Sequence, residues 1–340
     1  MFSQMSAMTF YSKFSSHLSA RGRFTRTGVV VLLLVSLLTP ASAAEDRWPA
    51  RVQVFVANSA SGTVTAYDTR LGEVVATVPV GPGPVGVGAA PGGDRVYVTN
   101  EQGASLSVIN PRTYAVVATV PVGQHPFGVA ATPTRAYVTN FGSDTVTVVD
   151  TATNKPLRDI PVGRFPHTPA VSPNGKLVYV TNNGGQSVTV ISTRNDEPVA
   201  TIPVGRFPAG VAFSPDGERA YVANTGSNTV TVIDVDRGKP IDTTEVGRAP
   251  MGVSVTPRGR VYVANAAGDT VSVLNRSGEP VGPAVPVGKQ PEGSAASPDD
   301  SFVYVTNSRA GSMSVIDAPS GSVVATVPVG KEPEGLAVTS

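Results

Sequence analysis

Apolar and polar residues alternate in short runs cut by turns. Thr229–Asp234 alternates Thr with Val, the period-two pattern of a half-buried strand, and no segment carries the helical period. One unit, Gly210–Gly247, predicts four strands: Gly210–Ser214, Arg219–Asn224, Thr229–Asp234 and Ile241–Gly247. Between the first two lies Pro215-Asp216-Gly217, where Pro presets φ and Gly accepts a positive φ. The second strand carries a recurring word, Tyr97-Val98-Thr99-Asn100. Its copies begin at Phe55, Tyr97, Tyr137, Tyr179, Tyr221, Tyr262 and Tyr304, at spacings of 40–42 residues. A period of that length, with four short strands in it, predicts an all-β, seven-bladed propeller of four-stranded blades.

Position within the blade is also readable. The first strand holds small residues (Gly86 and Gly88, Gly128 and Ala130, Gly210 and Ala212), which suit the crowded axis. The fourth holds Pro79, Pro121, Pro161, Pro203, Pro286 and Pro328, with Glu245 in the fifth blade; a residue that cannot donate to a ladder, or a charge, belongs on the outer edge. The propeller is expected over residues 52–340, with residues 52–81 and 335–340 together making the first blade, so that the C-terminal strand closes the ring. The motif resembles that of the YVTN-repeat β-propeller family, similar to the propellers of surface-layer and other exported proteins. That likeness covers nearly all of 52–340 and implies a fold without implying one function.

Residues 1–43 are read as a secretory signal peptide: Lys13, Arg21, Arg23 and Arg26, then the apolar run Val29–Leu38, then Ala41-Ser42-Ala43 before Ala44. The run is too short to span a bilayer, although an uncleaved anchor is the alternative. Residues 44–51 read as a short linker. The leader holds four of the 26 Lys and Arg and none of the 25 Asp and Glu, so the remainder carries 22 against 25, a net charge of −3. Binding to nucleic acid therefore lacks bulk electrostatic support. The absence of cysteine excludes disulfides, thiol catalysis and thiolate metal sites. The expected location is secreted, periplasmic or cell-surface, with no membrane span after cleavage, as a monomer.

Candidate chemistry lies on the face shared by the inter-blade loops and the second-to-third loops. The second-to-third loops start with Asn (Asn58, Asn100, Asn140, Asn182, Asn224, Asn265, Asn307) and carry Ser or Thr five residues on; the Asn is expected to bond turn backbone and the hydroxyl to answer it. Glu101, Phe141, Asn183 and Arg309 break the repeat there and are candidates for specificity. The inter-blade loops follow Gly-x-x-Pro-x. The last position reads Val85, Phe127, His167, Ala209, Met251, Glu292 and Glu334 and is expected at the channel mouth. His167, Glu292 and Glu334 are the candidate acid–base or metal-assisted site, since paired carboxylates raise one another's pKa and His titrates near neutrality; a divalent cation is the candidate cofactor. The alternative is an ordinary polar rim. Arg164, Arg206, Arg248, Lys289 and Lys331, with Phe127 and Met251, are the candidate ligand-binding set; the alternative is solvated cations pairing with Glu292, Glu332 or Glu334. Phe127, Phe141, Phe165 and Phe207 are too sparse for a base-stacking platform. These features point first to an exported protein that binds a small ligand, surface polymer or protein partner. A lyase, hydrolase or cyclase at the same mouth, and a surface-layer scaffold, are the alternatives.

Overall fold

The structure, a computed structural model, describes residues 52–339; the expected leader at 1–43 and the linker at 44–51 lie outside the described residues. Among the described residues are seven four-stranded antiparallel sheets, no α-helix, and no helix long and apolar enough to cross a membrane. In blade 5 the order is Pro208–Phe213, Arg219–Asn224, Thr229–Asp234 and Lys239–Glu245. Blade 1 takes Gln53–Asn58, Thr63–Asp68 and Glu73–Pro79 from one end of the chain and Pro333–Val338 from the other, which is the expected closure.

Strand limits differ from expectation by two residues. Inner strands begin at the Pro, not the Gly, because Pro208 pairs with Asn224 at the strand's first position, where no N–H is needed. Outer strands correspondingly end two residues earlier, as at Glu245 opposite Thr229. In blade 6 the outer strand shrinks to Val285–Pro286.

The core lies between blades. Seven apolar clusters each join neighbouring blades; one packs Tyr97, Leu106 and Val108 of blade 2 against Val129, Val138 and Val149 of blade 3. The repeated Tyr sits at the centre of this packing, and in three blades its hydroxyl crosses to the next blade: Tyr137 donates to Asp196 (2.7 Å), Tyr221 to the Arg276 carbonyl (2.6 Å) and Tyr262 to that of Ala318 (3.0 Å). Such a partner offsets the cost of burying the hydroxyl, which Tyr97 Oη bears with no hydrogen-bond partner among the described residues.

The repeated Asn acts differently from expectation. Its Nδ2 does reach the hydroxyl five residues on, and also the one seven residues on, as Asn140 does with Thr145 (3.0 Å) and Thr147 (2.8 Å). In three blades its Oδ1 accepts from the crossover loop that enters the blade, not from its own turn: Gly163 N–H donates to Asn182, Gly205 to Asn224 and Gly330 to Asn58, whereas the Oδ1 atoms of Asn100, Asn140, Asn265 and Asn307 are buried without a hydrogen-bond partner among the described residues. In all seven blades the crossover lies so close that a Cβ on its first glycine, from Gly81 to Gly330, would come within 2.5–2.6 Å of the Asn Cγ. That proximity explains why the Gly-x-x-Pro loop starts with Gly.

Every inner strand contains a bulge. Between Pro84 and Val87 three steps oppose two on the partner strand, from Asn100 to Val98, and the same shift recurs in all seven blades. A bulge leaves one residue out of the ladder and re-aims its side chain. Here the residue after Pro is turned into the channel in six of the seven blades. In four blades the orphaned N–H is taken by the Thr of the repeated word, which also donates to the mouth residue of the next blade. Thr139 Oγ1 accepts from Gly128 N–H (2.8 Å) and donates to the His167 carbonyl (2.6 Å); Thr99, Thr181 and Thr306 hold Phe127, Ala209 and Glu334 likewise. Ala57, Ala223 and Ala264 replace it in the other blades. Thr139→Val keeps the shape and strands two buried backbone groups. It is expected to destabilise by about 2–4 kcal/mol and lower Tm by about 5–10 °C. An unchanged Tm by calorimetry would show that the staple is replaceable.

Candidate active site at the channel mouth

The bulges bring six of the seven mouth residues, Val85, Phe127, His167, Met251, Glu292 and Glu334, to the wall of one cavity of about 150 Å³. The seventh, Ala209, is fully buried behind it. Its floor is the next layer inward, including Val87, Val129, Val211, Val253 and Leu336. Close approach of the inner strands makes this possible: a Cβ on Gly252 or Gly293 would meet the carbonyl oxygen of Glu292 or Glu334 at 2.4 Å. Blade 4 breaks this rule with Thr168 and Pro169.

The three candidate acid–base residues share the cavity. His167 is buried, and burial pushes its pKa down to about 4, so the ring is neutral near pH 7. Its Nδ1 lies 3.0 Å from Thr168 Oγ1, and Phe127 packs on it with ring centroids 3.8 Å apart. Its Nε2 has no hydrogen-bond partner among the described residues. Burial is the first cause raising Glu334, to about 8, followed by the charge of Glu292; a hydrogen bond from Ser59 opposes the rise, while Glu101 and Glu332 add to it. Glu292 is raised as well, by burial first, against a 2.5 Å hydrogen bond from Gln290 Nε2. Near neutral pH Glu334 therefore keeps its proton, and Glu292 holds one more readily than an ordinary glutamate does. Two buried carboxyl groups and one neutral imidazole face a largely apolar space. No three carboxylate or imidazole groups among the described residues converge as metal ligands.

The expected cation ring lies apart from the cavity. None of Arg164, Arg206, Arg248, Lys289 and Lys331 lines the cavity. Nor does any of them pair with Glu292, Glu332 or Glu334: Lys289 Nζ bonds Asp269 at 2.6 Å, Arg248 reaches the Ala267 carbonyl, and Arg164 lies over the Phe165 ring. The position after the loop Gly faces outward, away from the bulge. Phe127 and Met251, by contrast, are where a cavity ligand would meet them. His125 is exposed on the rim, 3.5 Å from Glu101. The Asp residues that end third strands form turns, as expected, with Asp150 accepting from the Ala152 and Thr153 N–H groups. A depression lined by Phe213, Pro215, Pro257 and Pro298 contains no titratable side chain.

Two features escaped sequence reading. The Thr/Ala alternation in the repeated word is visible there, but its meaning depends on the bulge. The phenylalanines, sparse in sequence, gather in space: Phe127 and Phe141 centroids are 6.2 Å apart, and Phe141 and Phe165 stack at 4.9 Å and 14°.

Residues 51–256 match the family described as lactonase, 7-bladed beta-propeller. No curated protein matches the chain. Among solved structures, the chain is similar to Kuenenia stuttgartiensis hydrazine synthase, at 24% identity and TM-score 0.71 over 78% of this chain and 92% of that one. It is similar to a functionally unknown protein from Desulfotomaculum acetoxidans, at 19% identity and TM-score 0.75 over 84% and 98%. It is also similar to a proposed 6-phosphogluconolactonase from Bacteroides uniformis, at 17% identity and TM-score 0.73 over 85% and 99%. At these identities the solved structures speak for the fold.

Proposed function

Because the chain belongs to the lactonase, seven-bladed β-propeller family, we propose that it hydrolyses a small cyclic ester at the channel mouth, with Glu292 and Glu334 handling the protons. The observation that carries this reading is the buried pair Glu292 and Glu334, whose burial favours the protonated form, on the wall of one cavity with a neutral imidazole. Glu292, as carboxylate, takes a proton from water as its oxygen bonds to the acyl carbon. The ring C–O bond breaks and Glu334 gives its proton to the departing alkoxide. The pair ends with the proton on Glu292, and transfer back to Glu334 resets the site. With Thr168 O–H donating to Nδ1, His167 presents Nε2–H to the carbonyl oxygen, where negative charge develops.

The cavity suits a ring of five or six atoms. No Lys or Arg lines it, so uncharged lactones are expected to be preferred over phosphorylated ones such as a 6-phosphogluconolactone. In this reading the chain is exported through residues 1–43, and its repeats ally it with the YVTN-type propellers. The apolar floor favours a second reading, binding of a small ligand without turnover. A pH-stat assay of the chain from Ala44 with γ- and δ-lactones separates the two. Hydrolysis is expected, with kcat/KM falling as pH rises through about 8, where Glu334 loses its proton. Saturable binding with no proton release from any lactone would leave the second reading.

A further inference from the structure

On one side the cavity does not end at its rim. Phe127, which lines it, is followed outward by Phe141 and then Phe165, and the Arg164 guanidinium lies 5.2 Å from the Phe165 centroid. These rings come from three separate segments: the bulge of blade 3, its second-to-third loop, and the crossover into blade 4. Phe165 is 37% exposed, so the strip runs from the buried imidazole to solvent.

The loop backbone does not explain the strip. Phe165 has φ +54°, but so do its counterparts in other blades, among them Phe207 (+50°), Ala249 (+51°) and Gln290 (+54°). Phe207 occupies the same place one blade on, is 55% exposed and makes no ring stacking among the described residues. Only at the blade 3–4 junction does a phenylalanine in the crossover meet one in the neighbouring loop. The other flank of the mouth holds Glu292, Glu334 and, nearby, Glu101 and Glu332, polar groups that disfavour an apolar arm.

We propose that Phe127, Phe141 and Phe165 form a subsite for a flat apolar arm, such as an aryl group, carried by the ring that enters the cavity. The inference rests on the hydrolase reading for what the ring is, and on the strip's continuity with the cavity for where the arm lies. Offset and edge contacts with two such rings are worth about tenfold in affinity.

Lactams, which resist hydrolysis, make the test independent of turnover. Calorimetry would compare γ-butyrolactam with its γ-phenyl derivative on the intact chain. The phenyl compound is expected to bind about tenfold more tightly. Phe141→Ala and Phe165→Ala are expected to reduce that advantage to about twofold or less and to leave γ-butyrolactam unchanged, while Phe207→Ala changes neither. Equal affinity for the two lactams in the unaltered chain, no binding of the phenyl compound, or an advantage that survives Phe141→Ala overturns the subsite. Hydrolysis of γ-phenyl-γ-butyrolactone is measured alongside. Its absence with the lactam preference intact removes the hydrolase reading and leaves the subsite standing.

Discussion

Glu334→Gln is expected to lower lactone hydrolysis by about a hundredfold to ten-thousandfold while making the folded chain more stable at alkaline pH. Both effects come from one burial. In the fold the Glu334 pKa stands at about 8 against an ordinary 4.5, so its charged form is disfavoured. The neutral acid incurs no such penalty, and stability is full below about pH 4.5. It is lost progressively as pH rises through about 8, by an amount on the order of a few kcal/mol. Glutamine keeps the shape and cannot ionise, so the variant escapes that loss. The measurement is thermal unfolding at pH 5 and pH 9 beside the pH–rate profile. The unaltered chain should lose more Tm between the two pH values than the variant does, and the variant's residual rate should lack the alkaline fall near pH 8. Equal Tm losses would show that Glu334 is not buried against its neighbour. A variant that is more stable at high pH yet fully active would remove Glu334 from the chemistry. Glu292→Gln should also lower the rate, and by deleting the neighbouring charge it should bring the Glu334 pKa down.

Removing residues 331–340 is expected to cost more stability than any substitution discussed above. The segment supplies the inner strand of blade 1, pairing Leu336 with Val56, Ala337 with Phe55 and Val338 with Val54. Leu336 is buried with Val54, Val56, Tyr67 and Tyr304 at the junction of blades 7 and 1. Thr339 exchanges hydrogen bonds with the Gln53 backbone. Loss of one buried leucine costs about 2–5 kcal/mol, and here the strand's ladder goes with it, so Tm should fall by more than about 10 °C. A permuted chain with residues 331–340 moved ahead of Val52 separates the causes. It restores the strand but leaves blades 7 and 1 without a covalent tie, and its Tm should lie between those of the truncated and intact chains. A truncated chain that melts like the intact one would mean that the closing strand adds nothing to the ring.

The sequence period carries position within a blade very well and depth very poorly. Seven blades, prolines on the outer edge and closure through the C-terminus all follow from repetition, because each repeat has the same neighbours. So does the mouth ring: where the copies of the residue after Pro disagree, as at His167, Glu292 and Glu334, no shared structural demand holds them alike. What the period does not encode is the direction of a side chain within its loop. Lys289 and Glu292 are three residues apart, yet one faces Asp269 outside and the other the cavity, because a bulge lies at the second and not at the first. Phe141 and Phe165 belong to different repeats, and their stacking exists only once blades 3 and 4 are adjacent. The raised glutamate pKa values depend on burial, which the type of residue alone does not reveal.

The inner-strand bulge also separates inheritance from invention. The backbone at the mouth positions is held by groups that are not the mouth residue: the glycine after it in every blade but the fourth, the Asn packed against the crossover and, in four blades, the Thr of the preceding blade. The side chain itself joins no ladder. Valine, phenylalanine, histidine, methionine and glutamate thus occupy equivalent sockets on one frame, and a point mutation there exchanges the reagent without rebuilding the vessel. A protein made this way changes its chemistry in single steps, through intermediates that all fold.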